Sequence, residues 1–383
     1  MSEPRPFRSF VSPSRYVQGA GAISLLGELI APLCASPVIL ADNNVWGFSG
    51  DAVTESLRKA GLDEVRISFG GRATDREIAS VSSQLTERGA DLVVGLGGGS
   101  TLDTAKAAGS DAGIPWVTVP TTASTDAPGT GVAVIYTDEG VLDHFRILGR
   151  NPALVLVDSQ YVANAPVSFL IAGIGDALST WLEARASGGA GRALVSGFQA
   201  PATGLAAAEL SWTILRENAL QAIADVKEHK VTPALDNVIE ANILLSGLGF
   251  EAGGLSVAHS VHNGLTVAEQ THGLQHGEKV NIGSIVQLIL DGAPDSEIND
   301  FISFTTRVGL PTSLTELGLS IQDTETLNAV ARRTTLEDEF VHTMPFTVTP
   351  QIIVDALTEV ETRSRAVRER EGLPAPVKYE HRR

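Results

Sequence analysis

Over the first ~165 residues, short apolar runs that end in Gly, Asp or Asn alternate with stretches whose apolar positions recur at helical spacing. The strand-like runs are Ser36–Asp42, Glu64–Phe69, Asp91–Leu96, Trp116–Pro120 and Ala153–Asp158. Between them, Asp51–Leu62, Thr74–Gly89 and Ser100–Gly109 read as helices, with flanking glycines as stops. This alternation predicts βαβ units, and therefore a doubly wound parallel sheet with helices on both faces. Beyond Asp158 the strand-like runs cease. Leu205, Ala208, Trp212 and Leu215, then Leu235, Val238, Ile239 and Ile243, repeat on one face of a helix. The expected architecture is α/β plus all-α, with residues 1–164 forming the sheet domain and 165–383 a helical domain.

Composition narrows the function more than the fold. A chain of 383 residues exceeds what one hydrophobic core usually serves, so a cofactor and a substrate can meet in a cleft between two domains. The net charge of −17 argues against a nucleic-acid or anionic-membrane partner, since either needs a basic face. No run of ~18 apolar residues is present to span a bilayer. Cys34 has no second cysteine to pair with, and residues 1–20 lack the apolar core of a signal peptide, so a reducing, cytoplasmic setting is expected. The tail PAPVKYEHRR (374–383) reads as a surface extension.

Three features carry chemistry. The run LVVGLGGGSTLDTAKAAG (92–109) joins a buried-looking strand to a helix through Gly97, Gly98 and Gly99. Such a turn lets a pyrophosphate approach unpaired N–H groups at a helix start, although a plain tight βα turn reads the same way. Asp42 ends the first candidate strand, where it either accepts hydrogen bonds from a ribose and repels a 2′-phosphate, favouring NAD over NADP, or caps the following helix. The third feature is a cluster of four histidines within GGLSVAHSVHNGL (253–265) and THGLQHGEKV (271–280). Three protein ligands with one open position is the pattern of a catalytic zinc. His259 and His262 share a helix face, and Asp176, embedded in the apolar stretch AGIGDALSTWLEA (172–184), is a carboxylate costly to bury without a partner.

GGGST with LDTAKA, then TTASTDAPGTGVAVIYTDEG (121–140), GDALSTWLEA, GLSVAHSVHNGLT and HGEKV follow one another in an order that resembles the glycerol dehydrogenases of the iron-containing alcohol dehydrogenase superfamily. The resemblance runs to about residue 290. It implies a Rossmann-like NAD domain, a helical domain and a metal in the cleft, with Asp176, His259 and His276 as ligands. It counts Asp126, placed on a substrate hydroxyl, with those three ligands as the catalytic and substrate-binding set, and it lines the cofactor with Gly98, Gly99, Ser100, Asp103, Thr121, Ser124, Thr130, Val132 and Tyr136 as well as Asp42. Many relatives carry Lys at the position of Ser100. Thr180 stands where the iron-using branch has a fourth ligand, so Zn²⁺ is expected rather than Fe²⁺. His262 is expected outside the ligand set, in a supporting hydrogen bond, a proton path or ordinary packing. Relatives imply a homo-oligomer.

Hydride leaves a carbinol carbon readily only once the hydroxyl is an alkoxide, a species that bound Zn²⁺ stabilises. The expected reaction is therefore NAD-dependent oxidation of glycerol, or a related small vicinal diol, to dihydroxyacetone. The alternatives are a carbocycle-forming lyase of the dehydroquinate synthase type, which shares the two-domain plan, and a glycerol-1-phosphate dehydrogenase. Both need a basic cluster for phosphate, and the metal motifs offer only Lys279. The last alternative is an NAD- and metal-binding scaffold without turnover.

Overall fold

The strand-like runs become a six-stranded, wholly parallel sheet in the computed structural model, which describes residues 6–380. The strands are β1 Tyr16–Gly19, β2 Pro37–Ala41, β3 Arg66–Ser68, β4 Leu92–Gly97, β5 Trp116–Pro120 and, after a separate antiparallel pair β6 Val132–Tyr136 and β7 Leu142–Ile147, β8 Leu154–Asp158. Their spatial order is β1-β8-β5-β4-β2-β3. The readings made on 1–20 and 374–383 extend to 1–5 and 381–383, which lie outside the described residues.

Central strands read as unbroken apolar runs because both faces of the sheet are covered. Ile39 and Ala41 of β2, with Val94 and Leu96 of β4, pack on one face against Val53 and Leu57 of the helix Asn43–Lys59. Val38 and Leu40, with Val93, face the opposite way, against Ile78, Val81 and Leu85 of the helix Asp75–Glu87 and Ala105 and Ala108 of the helix Gly99–Asp111. The five expected strands all form. The helix expected over Asp51–Leu62 begins eight residues earlier, at Asn43, because the Asp42 carboxylate caps it by accepting from the N–H groups of Asn44 and Val45 at 2.7 and 2.9 Å. Strand β1 and the β6–β7 pair were not expected. Each residue of β1 is only partly buried, and the pattern of β7, LDHFRI, has no buried position.

The chain divides into two compact units. One holds Val11–Ala165 and Ala224–Gly247, and the other takes the remaining described residues. Residues 224–247, placed by the sequence reading in the helical domain, thus belong with the sheet. Ser159 Oγ and Gln18 Nε2 both donate to the Asp236 carboxylate, at 2.5 and 3.1 Å, and Gln160 Nε2 donates to the carbonyl of His229. These polar contacts join side chains far apart in the sequence and give no periodic signal in it.

The second unit is helical throughout its long elements, among them Val167–Ala186, Val257–Leu265, His276–Leu290, Asp295–Val308, Thr324–Thr334 and Pro350–Glu371. Val167–Ala186 is long and apolar enough by composition to cross a membrane, yet 89% of its apolar window is buried within the chain, where it packs on His276–Leu290.

Asp158, 2% exposed at the end of β8, accepts from the backbone N–H groups of Gly21, Ile23 and Gln160 at 3.0, 3.1 and 3.0 Å, fastening the edge strand β1 and the next helix to one carboxylate. Asp158→Ala is expected to cost roughly 2–4 kcal/mol by leaving these donors without a partner. Urea unfolding of the two proteins measures the difference, and equal midpoints would contradict it.

Candidate active site

Within the helical unit, three helices deliver the predicted ligand set to one point. Asp176 comes from Val167–Ala186, His259 from Val257–Leu265, and His276 opens His276–Leu290. Their ligand atoms all lie within 4.8 Å of one another. Asp176 Oδ1 is 3.1 Å from His276 Nε2 and 3.5 Å from His259 Nε2. Tetrahedral zinc bonds of ~2.0–2.1 Å place neighbouring ligand atoms about 3.3–3.4 Å apart, so both separations match the edges of such a site. The orientation agrees with the spacing: although the imidazole nitrogens are close, neither Asp176 oxygen receives a well-directed hydrogen bond. A carboxylate 2% exposed and so left is a fit to a cation, not to a hydrogen-bonded cluster.

The backbone allows this approach because the helices of Asp176 and His276 touch at glycines. A Cβ on Gly277 would sit 1.8 Å from the carbonyl oxygen of Ala172, and one on Gly175 would sit 2.5 Å from that of Gly277. Thr180, one turn after Asp176, is buried and presses its methyl group toward Gly249.

Electrostatics at the point are strongly coupled. Burial works to raise the pKa of Asp176, but His276 and His259 beside it hold the carboxyl below its usual range. Burial works to lower His259, yet the charges of Glu183 and Asp176 carry it well above its usual value. Burial holds His262 well below its usual value, and its position among His276, Lys279 and His259 works in the same direction. Burial also brings the Lys279 ammonium down to about 8, against the opposing charge of Glu278.

Glu183 was not anticipated. Its Oε2 lies 2.6 Å from His259 Nδ1, while Oε1 accepts from the N–H groups of Ser256 and His259 at 2.8 and 3.0 Å. One fully buried carboxylate therefore caps the helix that carries His259 and fixes the ring that helix presents. The signal was available: Glu183 follows Asp176 by seven residues, two helical turns, and so shares its face.

In the sheet unit, the chain leaves β2 toward β3 and returns to β4 on the other side of β2. The strand ends at this reversal, Asp42 after β2 and Gly97 in β4, mark the crevice where open parallel sheets bind dinucleotides. Gly97 has φ +154°, and a Cβ there would meet Thr101 Oγ1 at 2.8 Å. Gly98 is the cap of the next helix and supplies no side chain to its N–H groups, while Gly99 and Ser100 form its first turn. Thr121 is joined to the same turn by its N–H, 3.0 Å from the carbonyl of Gly97. Both cap bonds of Asp42 go to Oδ1, so capping occupies only one of its two oxygens with the backbone.

Asp126 lies in the loop after β5, where Ser246 Oγ donates to its Oδ2 at 2.9 Å. Asn242 Nδ2 donates to the carbonyl of Ala123 in the same loop at 2.9 Å. Asn242 lies in a break in helical register, the π-helical turn Ala241–Leu245, a feature common at functional sites, and Ser246 follows that turn directly at the start of the helix Ser246–Gly253. Neither Asn242 nor Ser246 was a candidate from the sequence. Ser124 bonds Thr122, and Thr130 Oγ1 reaches the carbonyl of Ala127. Val132 and Tyr136 belong to β6, and burial, with the charge of Asp103, pushes the Tyr136 hydroxyl up to about 12. Asp103 itself is 4% exposed and paired at 2.9 Å with Lys106, whose ammonium also donates to the carbonyls of Ala127 and Val132. That pair ties the loop to the helix.

Residues 13–159 match the family profile described as iron-containing alcohol dehydrogenase. The chain is 43% identical to the glycerol dehydrogenase of Pseudomonas putida over 91% of its own length and 96% of that protein. It is equally identical, at 43%, to the glycolaldehyde reductase of Halobacterium salinarum over 94% and 99%. The crystal structure of glycerol dehydrogenase from Schizosaccharomyces pombe superposes with a TM-score of 0.94 at 36% identity, covering 100% of this chain and 98% of that one.

Gly277→Ala forces the two ligand-bearing helices apart. It is expected to destabilise the protein by about 1–3 kcal/mol and, if Asp176 and His276 share a divalent metal, to weaken its binding as well, because their separation widens. Thermal melts and zinc titration of the metal-free variant test both, and zinc affinity equal to that of the unmodified protein would contradict the dependence on this contact.

Proposed function

The chain belongs to the iron-containing alcohol dehydrogenase family, and from that premise we infer that it oxidises small vicinal diols, glycerol to dihydroxyacetone foremost, with NAD as the hydride acceptor. The observation that carries this reading is the convergence of a buried carboxylate and two imidazoles on one point, in a chain 43% identical to a glycerol dehydrogenase. Three ligands of the nitrogen and oxygen type, with Thr180 in place of a fourth, favour zinc over iron.

When held by Asp176, His259 and His276, a divalent cation supplies the Lewis acidity that stabilises negative charge on an alcohol oxygen near neutral pH. The rest falls to the chain's own groups. Ser246 orients the Asp126 carboxylate, which accepts a hydrogen bond from a substrate hydroxyl and so fixes which carbon is presented. Asp42 and the turn Gly98–Gly99–Ser100 hold the ribose and pyrophosphate of NAD, and the Asp42 charge disfavours a 2′-phosphate. Thr121, Ser124, Thr130, Val132 and Tyr136 line the remainder, with Asp103 supporting the loop through Lys106. A cytoplasmic setting goes with the same reading, since Cys34 is a free thiol.

The 43% identity to a glycolaldehyde reductase supports a second reading, in which the same site works in the reducing direction on glycolaldehyde. The lyase and phosphate-dehydrogenase alternatives draw no support from the relatives described, and Lys279 remains the lone cation of the metal motifs.

Metal removal is the test. With glycerol and NAD, NADH formation is expected to fall at least about a hundredfold in chelator-treated enzyme and to return with zinc, since the cation supplies several kcal/mol of charge stabilisation. Undiminished turnover without metal would overturn the reading. A larger kcat/KM for glycolaldehyde with NADH than for dihydroxyacetone would select the second direction.

A further inference from the structure

His276 can act as a ligand through Nε2, the atom that faces Asp176, only when its neutral ring carries the proton on Nδ1. Nothing in a free imidazole enforces that choice. We propose that Glu339, remote from both imidazoles in the sequence, is a positioning residue that sets the tautomer of His276 through Asn263 and His262, an inference that rests on the metal reading above.

The sequence of donors and acceptors follows from Glu339 outward. Asn263 Nδ2 lies 3.2 and 3.1 Å from the two Glu339 oxygens. A carboxylate only accepts, so the amide must turn its NH₂ toward Glu339 and its Oδ1 toward His262, whose Nδ1 is 3.0 Å away. Because Oδ1 only accepts, His262 Nδ1 must donate, which leaves His262 Nε2 as an acceptor. That atom lies 3.0 Å from His276 Nδ1, which therefore donates and keeps its own Nε2 bare. Each link has one solution once Glu339 is a carboxylate. Arg333 pairs with Glu339 at the far end and holds it in place.

Burial makes the relay matter. Glu339, Asn263 and His262 are 4%, 2% and 7% exposed, which restricts the access of water that could satisfy either tautomer. The other imidazole is served more directly, since Glu183 touches His259 itself. The two rings are thus set by two different carboxylates, one in contact and one acting through two intermediate side chains.

Replacing Glu339 by Gln supplies an amide that donates to Asn263 Oδ1. Asn263 can then turn over and present its NH₂ to His262, which inverts both rings and places a proton on His276 Nε2. The measurement is zinc affinity of the full-length metal-free protein, by competition with a chromophoric chelator, with melting curves showing that each variant folds. Glu339→Gln is expected to weaken zinc binding about tenfold or more, in line with other outer partners of metal-bound histidines. Glu339→Asp, which keeps the carboxylate, should stay within about threefold of the unmodified protein.

A second arm separates action through the relay from a general packing effect. In a His262→Leu or an Asn263→Ala background, where the relay is already cut, Glu339→Gln should cause no additional loss of affinity. Zinc binding by Glu339→Gln equal to that of the unmodified protein would overturn the proposal, as would losses that simply multiply in the combined variants. Failure of the unmodified protein to bind zinc at all would instead bring down the metal reading, and this proposal with it.

Discussion

An ionised carboxylate taken out of water without a partner costs several kcal/mol even after the protein relaxes around it. Asp176 faces that cost: it lies buried in the middle of an apolar helix, with two imidazoles beside it but neither oxygen in a directed hydrogen bond. The helical unit is built around that constraint. Two imidazole nitrogens are brought to the same carboxylate oxygen, and each ring is backed by a further buried group, Glu183 behind His259 and His262 behind His276. A divalent cation held there would meet that constraint and, in the proposed reaction, would stabilise negative charge on an alcohol oxygen.

Side chains alone do not bring these groups together. The decisive contact is of backbone on backbone, where Gly175 and Gly277 let two helices approach more closely than any Cβ permits. In the sheet unit the same logic recurs in a different form. The reversal of strand order sets Asp42 and the glycine turn at neighbouring strand ends, and a π-helical turn with the residue that follows it supplies Asn242 and Ser246 to hold the loop that carries Asp126. Regular elements thus place the functional groups, while breaks in regularity aim them.

Much of this was legible in the sequence because it depends on periodicity. Central strands covered on both faces leave continuous apolar runs, and Asp176 stood out as a charge in an apolar helix. The family resemblance then joined it to His259 and His276, a meeting that spacing alone could not disclose. What stayed hidden depends on contacts distant in sequence or on polar groups without a period. Strand β1 has no buried face, residues 224–247 join the sheet unit through side-chain hydrogen bonds, and Glu339 meets Asn263 across 76 residues. Glu183 is the exception, since its two-turn offset from Asp176 made it available to a closer reading of the same helix. Asp42 shows the opposite limit, where a helix cap and a ribose partner leave the same trace in the sequence.

The central claim is that Asp176, His259 and His276 form one metal centre. X-ray absorption at the zinc edge on the zinc-loaded protein examines it most directly. The account predicts one zinc per chain with a first shell of nitrogen and oxygen at ~2.0–2.1 Å, two imidazole scattering patterns, and the loss of one of them in His276→Ala. A shell without imidazole scattering, or a spectrum unchanged in that variant, would contradict it.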